Sequence, residues 1–179
     1  LPARIDSAAV ASVASVALRT ALLAALVDRS GRISVARTLV RCEGVQIAYA
    51  RPERLGVDRF LALLGACARG PGPWLLAGVG TALTIDLLDA AGRHRGGRIA
   101  PSPALMRQAL HGRAAQLPAT GGRYVDFATD TDDALASGCE GAAIALVESS
   151  RSAAARVLGQ APTLLLHGGG AASLLAQLP

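Results

Sequence analysis

Asp58 and Arg59 follow Gly56-Val57, placing a carboxylate that could accept a hydroxyl proton beside a guanidinium that could hold an anion through two parallel hydrogen bonds. A helix-capping aspartate with a solvated arginine accounts for the same residues. Two glycine clusters, Gly78-Val79-Gly80-Thr81-Ala82 and Gly168-Gly169-Gly170, could bring backbone N–H groups up to a phosphate, since no Cβ intervenes and helix N-termini attract anions. Glycines also simply make turns. Asp126, Asp130, Asp132 and Asp133 lack the glycine and distal glutamate of a calcium loop, so a capped, solvated helix start is the expectation. His94, His111 and His167 have no partner at metal-ligand spacing and are expected to be structural, so no protein metal site is expected. No G-x-S-x-G, Walker A or G-x-G-x-x-G fingerprint opens a helix, which removes the commonest hydrolase, NTPase and dinucleotide readings.

The elements that must position these residues alternate in type. A buried strand is expected at 9–13 and a helix at 14–28, with Val16, Leu22, Leu23 and Leu26 on its apolar side. Strands follow within 32–40 and at 45–50, then a helical turn at 52–55 and a helix at 59–69 capped by Asp58. Gly70-Pro71-Gly72-Pro73 cannot continue a helix and reads as a linker between residues 1–72 and 73–179. Beyond it come strands at 74–79, 82–88 and 97–100 and a helix at 103–115. A long helix at 131–158 follows, headed by Asp130 or Thr131, then a strand at 163–167 and a glycine turn into another helix. Strand, helix, strand is the beat of an α/β protein.

Composition narrows the class. The chain has 179 residues, 51% of them hydrophobic, enough for a real core built mostly from Ala, Leu and Val. It contains no Lys, so all 18 basic side chains are Arg, spread without a run of three despite the net charge of +5. Few aromatics are available to stack on bases, so no nucleic-acid partner is expected and a small anion is the better fit. Three widely spaced cysteines, Cys42, Cys67 and Cys139, argue against a disulfide framework and suit a reducing cytoplasm. The apolar stretch at 8–27 is interrupted by Arg19 and lacks signal-peptide features, so no membrane partner is expected. The chain starts at Leu1 without an initiator Met, which suggests a piece of a longer one.

In order along the chain, these pieces resemble the type III pantothenate kinase family. The string Tyr49 followed by Arg-Pro-x-x-Leu-Gly-x-Asp-Arg, ending at Arg59, is similar to that family's pantothenate motif, and Gly80-Thr81-Ala82-x-Thr84-x-Asp86 to its central nucleotide strand and turn. Gly92-x-His94-x-Gly96-Gly97-x-Ile99-x-Pro101, Leu117-Pro118, Asp130-Thr131 with Ser137-Gly138, and Gly169-Gly170-x-Ala172 fall in the family order. The resemblance implies an actin-like ATPase and sugar-kinase fold of ribonuclease H-like half-domains. Residues 1–72 would be the remainder of the first half-domain, without its N-terminal strands, and 73–179 the second. It implies ATP-dependent phosphorylation of pantothenate to 4′-phosphopantothenate, with Mg²⁺, by a homodimer binding substrate near its interface. Asp58 would be the catalytic base, with Gly56, Val57, Arg59, Tyr49 and Thr131 holding the substrate and Gly80 and Thr81 at the ATP phosphates. The family includes the Bvg accessory factor, so a non-catalytic transcriptional accessory protein is the alternative.

Two departures carry expectations. Family members usually have Asp immediately before the x-Gly-Thr-Ala turn, serving a monovalent cation, K⁺ or NH₄⁺; here the position is Gly78, so dependence on that cation is not expected. The family also opens with an Asp-x-Gly-Asn-Thr or Ser turn that cradles ATP phosphates. A chain without Asn cannot contain it, so the 179 residues alone are expected to have weak activity or none.

Overall fold

The structure is a computed structural model describing residues 4–178. It begins with β1 (Ala8–Val10), α1 (Val16–Val27) and β2 (Ile33–Val35), the two strands pairing in parallel. A short hairpin of β3 (Arg41–Cys42) and β4 (Val45–Gln46) leads through a 3-10 turn at Pro52–Arg54 into α2 (Val57–Cys67). An antiparallel meander follows, of β5 (Trp74–Val79), β6 (Ala82–Leu88) and β7 (His94–Pro101). After α3 (Pro103–Arg113) and α4 (Thr131–Leu158), β8 (Thr163–His167) returns to lie parallel to β5, and α5 (Ala171–Leu175) ends the described fold. The main sheet thus has the order β7-β6-β5-β8 and is mixed, giving an α/β protein.

Local chemistry sets the helix ends. The Asp130 side chain accepts the Asp133 N–H at the head of α4, and Gly159 in the left-handed region closes it. Ser102 accepts the Leu105 N–H ahead of Pro103 to start α3. The two central strands are covered on both faces, which explains the nearly continuous burial of β5 and most of β6. On one face Leu75, Ala77, Val79, Leu83 and Ile85 pack with Ala143, Val147 and Ala154 of α4. On the other, Leu76 and Leu88 pack with Phe60, Leu63 and Ala66 of α2, and Val45, Ile47 and Leu55 close the edge.

The first segment departs from expectation. The strand expected at 9–13 is β1 at Ala8–Val10, because Ser15 accepts the Leu18 N–H and commits the chain to helix. Along α1 only Leu26 is buried, while Val16 is 70% and Leu22 39% exposed; a two-stranded ribbon is too small to cover a helix face. Of the strand expected at 45–50, only Val45–Gln46 pairs, although Ile47 is buried. The helix expected at 59–69 begins two residues earlier, with Gly56 at its cap and Asp58 inside the first turn, so Asp58 is not the cap. The third strand of the meander starts at His94, not Gly97, because a bulge between Asp86 and Leu88 carries the pairing on to Leu88 opposite His94.

The packing of α2 fixes that helix on the sheet, and Leu63 at its centre has no exposed surface. Leu63→Ala is expected to lower unfolding free energy by about 2–5 kcal/mol in urea titration. Leu61→Ala, one turn face away and 40% exposed, should cost no more than about 0.5 kcal/mol.

Candidate functional site

Arg59 leaves the first turn of α2 pointing inward and is buried, as is Asp86 at the middle of β6. The two meet as a fork: Arg59 Nε donates to Asp86 Oδ2 at 2.7 Å and Nη2 to Oδ1 at 2.6 Å. His94 on β7 adds a third bond to the same carboxylate, Nε2 to Oδ1 at 2.9 Å. A carboxylate only accepts, so Nε2 carries the proton there, leaving Nδ1 buried without a hydrogen-bond partner among the described residues. The Tyr49 ring stacks on His94 with centroids 5.9 Å apart, and its hydroxyl receives Arg59 Nη1 at 3.4 Å.

Burial by itself would raise the Asp86 carboxyl; the bonds from His94 and Arg59 outweigh it and hold the group below its usual range. Burial likewise works against the Arg59 charge, and Asp86 more than offsets it, so the guanidinium lies above its ordinary value. The cluster also explains Gly97, opposite Asp86 across the hairpin: a Cβ there would stand 2.5 Å from both Arg59 Nη2 and Asp86 Oδ1.

Asp58 is exposed beside this cluster in sequence but turned the other way. It lies over Gly56, where an added Cβ would come within 2.5 Å of its Oδ1, and it has no hydrogen-bond or ion-pair partner among the described residues. Val57 between them is buried. Gly56 and Val57 line a cavity shared with Arg19 of α1 and Arg37 after β2. Gly80 and Thr81 make the tight turn from β5 to β6, Gly80 N–H reaching Ala82 O at 3.0 Å. The late glycines fold onto the same strand end, Gly170 N–H to Val79 O at 3.0 Å. Gly80, Gly169 and Gly170 then share a cavity of about 360 Å³ with Ser102, Arg107 and Glu140, and Arg107 Nε is buried there without a partner among the described residues. These glycine backbones and that unpaired donor suit a phosphate-bearing ligand. Thr131 is exposed at the first position of α4, and no hydrogen bond or ion pair among the described residues ties it to Tyr49, Asp58 or Arg59.

No set of three His, Cys, Asp or Glu among the described residues is placed to hold a metal; Asp130 caps α4, and Asp133 accepts the Arg123 N–H of the loop before it. Sequence reasoning gave Asp86 no role and read His94 as isolated. The signal for the first was a carboxylate in a strand apolar on both sides, which demands a buried cation. Nothing in the spacing of His94 announced its partner, since the bulge sets their register.

A mixed sheet flanked by helices carries glycine turns at one strand end and, at a neighbouring helix start, a carboxylate without a partner among the described residues. The chain belongs to the type III pantothenate kinase family, whose model matches residues 2–152. It is 62% identical over 170 residues to a type III pantothenate kinase of Xanthomonas campestris pv. campestris strain B100, covering 95% of this chain and 69% of that protein. A second, from Stenotrophomonas maltophilia strain K279a, is 61% identical over 173 residues, 97% of this chain and 71% of that one. Among solved structures, a Campylobacter jejuni protein assigned to the Baf family of transcriptional activators aligns with TM-score 0.50 and 26% identity over 67% of this chain and 52% of that chain.

Because the native Asp86 carboxyl lies below its ordinary value, its contribution to stability is complete above the ordinary carboxylate range and is lost as pH falls through the lowered native value. Asp86→Asn should cost about 3–5 kcal/mol at neutral pH by leaving Arg59 uncompensated. Urea midpoints measured from neutral pH to below 3 should fall less steeply in that variant than in the parent; parallel curves would show that Asp86 is not the acid-sensitive group.

Proposed function

We propose that the protein phosphorylates pantothenate with ATP to give 4′-phosphopantothenate, the first step toward coenzyme A, as a member of the actin-like ATPase and sugar-kinase superfamily working in the cytoplasm. The observation that carries this reading is the coincidence of family and geometry. The motif from Tyr49 to Arg59 is intact, and its arginine is locked by the aspartate of the central strand.

In this reading Asp58 takes the proton of the substrate's primary hydroxyl. Its exposed, unpaired carboxylate at a helix start is open to a ligand, and a positioned base typically contributes about 10²- to 10⁴-fold. Gly56 and Val57 shape the wall of the substrate cavity. Arg59 has two of its five N–H donors committed to Asp86, leaving the Nη1 edge beside Tyr49 to meet the substrate. Gly80 and Thr81 hold ATP phosphates through the turn after β5, and a transfer of this kind asks the protein mainly for position and charge complementarity. Mg²⁺ would come with the nucleotide, since such ions are commonly held by phosphates with few protein ligands.

Two copies would complete the site. A mostly apolar groove between α3 and α4 is lined by Leu105, Met106, Leu110, Leu135 and Cys139, with Thr131 at the head of the same α4, which supports a homodimer with substrate contacts near its interface. The accessory-factor reading draws on the Campylobacter likeness at 26% identity, against 61–62% for the kinases.

A coupled ADP-release assay on the full natural chain should show pantothenate-dependent turnover, which an accessory factor would lack. Asp58→Asn should reduce it about 10²- to 10⁴-fold with pantothenate binding retained in calorimetry; unchanged turnover would sink its role as base. Light scattering after size exclusion should give a dimer that Leu110→Glu converts to monomer. A monomeric parent would overturn the dimer.

A further inference from the structure

Gly78, Thr84 and His167 stand in one row across the sheet, Gly78 on β5 paired with Thr84 on β6 and with His167 on β8. By strand alternation this row lies on the α2 face, two residues along β6 from Asp86. The space a side chain at position 78 would use is already taken. A Cβ there would lie 2.8 Å from Thr84 Oγ1, 2.8 Å from His167 Cε1 and 2.9 Å from His167 Nε2. A monovalent cation site of the family's kind fails on both counts that such a site requires. Position 78 supplies no carboxylate, and the nearest side-chain groups are one hydroxyl and an imidazole, whereas hard cations are held by several oxygens. The residues present do not fit the cation.

We propose that the His167 ring, with Thr84, fills the position that the family gives to an aspartate and its monovalent cation, so that this protein works without K⁺ or NH₄⁺. The ring is exposed and has no hydrogen-bond partner among the described residues. The inference rests on the kinase reading for its catalytic consequence, while the absence of a cation site stands on the packing around Gly78 alone.

The test compares KCl with choline chloride at equal ionic strength on the full natural chain and on a Gly78→Asp/His167→Thr double variant, which restores the carboxylate and removes the ring that would clash with it. Two readouts are taken, melting temperature and the KM for ATP in pantothenate-dependent ADP release. The parent should give the same values in both salts. The double variant should melt higher in KCl, as a ligand bound only by the folded state requires. It should also bind ATP more tightly there, by about 5- to 150-fold, the usual range for linked sites. His167→Thr alone should lose activity that KCl does not restore. A parent that is stabilised or activated specifically by K⁺ would overturn the proposal, and so would full activity of His167→Thr in choline chloride. Melting does not depend on turnover, so a chain that fails as a pantothenate kinase still decides whether the cation binds.

Discussion

The buried fork between Arg59 and Asp86 is the constraint around which the rest is arranged. An arginine taken out of water is tolerable only where its charge is met with good geometry, and removing either partner strands the other. Asp86 therefore has to lie in the middle of β6, α2 has to sit on that face of the sheet, and β7 has to bulge so that His94 reaches the same carboxylate. Gly97 is the space this arrangement leaves empty. The apolar contacts of Leu63, Leu76 and Leu88 supply most of the burial, and the ion cluster fixes which way α2 can face.

The two adjacent residues that suggested a base and a clamp are separated by the helix they share. Successive positions on a helix point about 100° apart, so one turn sends Arg59 to the core and Asp58 to the open side. That division gives each group a distinct environment from neighbouring positions: a buried, hydrogen-bonded guanidinium on one side and an exposed carboxyl group on the other. The glycine turn of Gly80 and Thr81 belongs to the same sheet as Asp86, so the Tyr49 to Arg59 motif and that turn are referred to one framework through a single carboxylate.

Much of this was legible in the residues. The meander, both long helices and the returning strand follow from alternation, from Asp130 as a cap and from Ser102-Pro103, all local signals that the structure keeps. What escaped was set by tertiary contacts. The start of α2 at Val57 depends on Gly56 and a buried Val57, so an aspartate in the first turn imitated a cap. His94 looked solitary because its partner arrives through a bulge, which also carries β7 back from the expected start at Gly97 to His94. On α1 the apolar residues have helical spacing yet stay exposed, since periodicity shows that a face could be buried and not what covers it. The family motif named Tyr49 and Arg59 without saying that they touch.

The parallel pairing of β5 with β8 has a consequence for how the molecule is made. The meander from β5 to β7 closes through short turns, but the other edge of β5 waits for a strand that is separated from it by both long helices. Contacts so distant along the chain are slow to form, because the loop must be closed before any of its energy is recovered. On the ribosome β5 thus spends time as an open apolar edge, the kind of surface from which misassembly starts. The row that ends in His167 is therefore completed only when the sheet itself is finished.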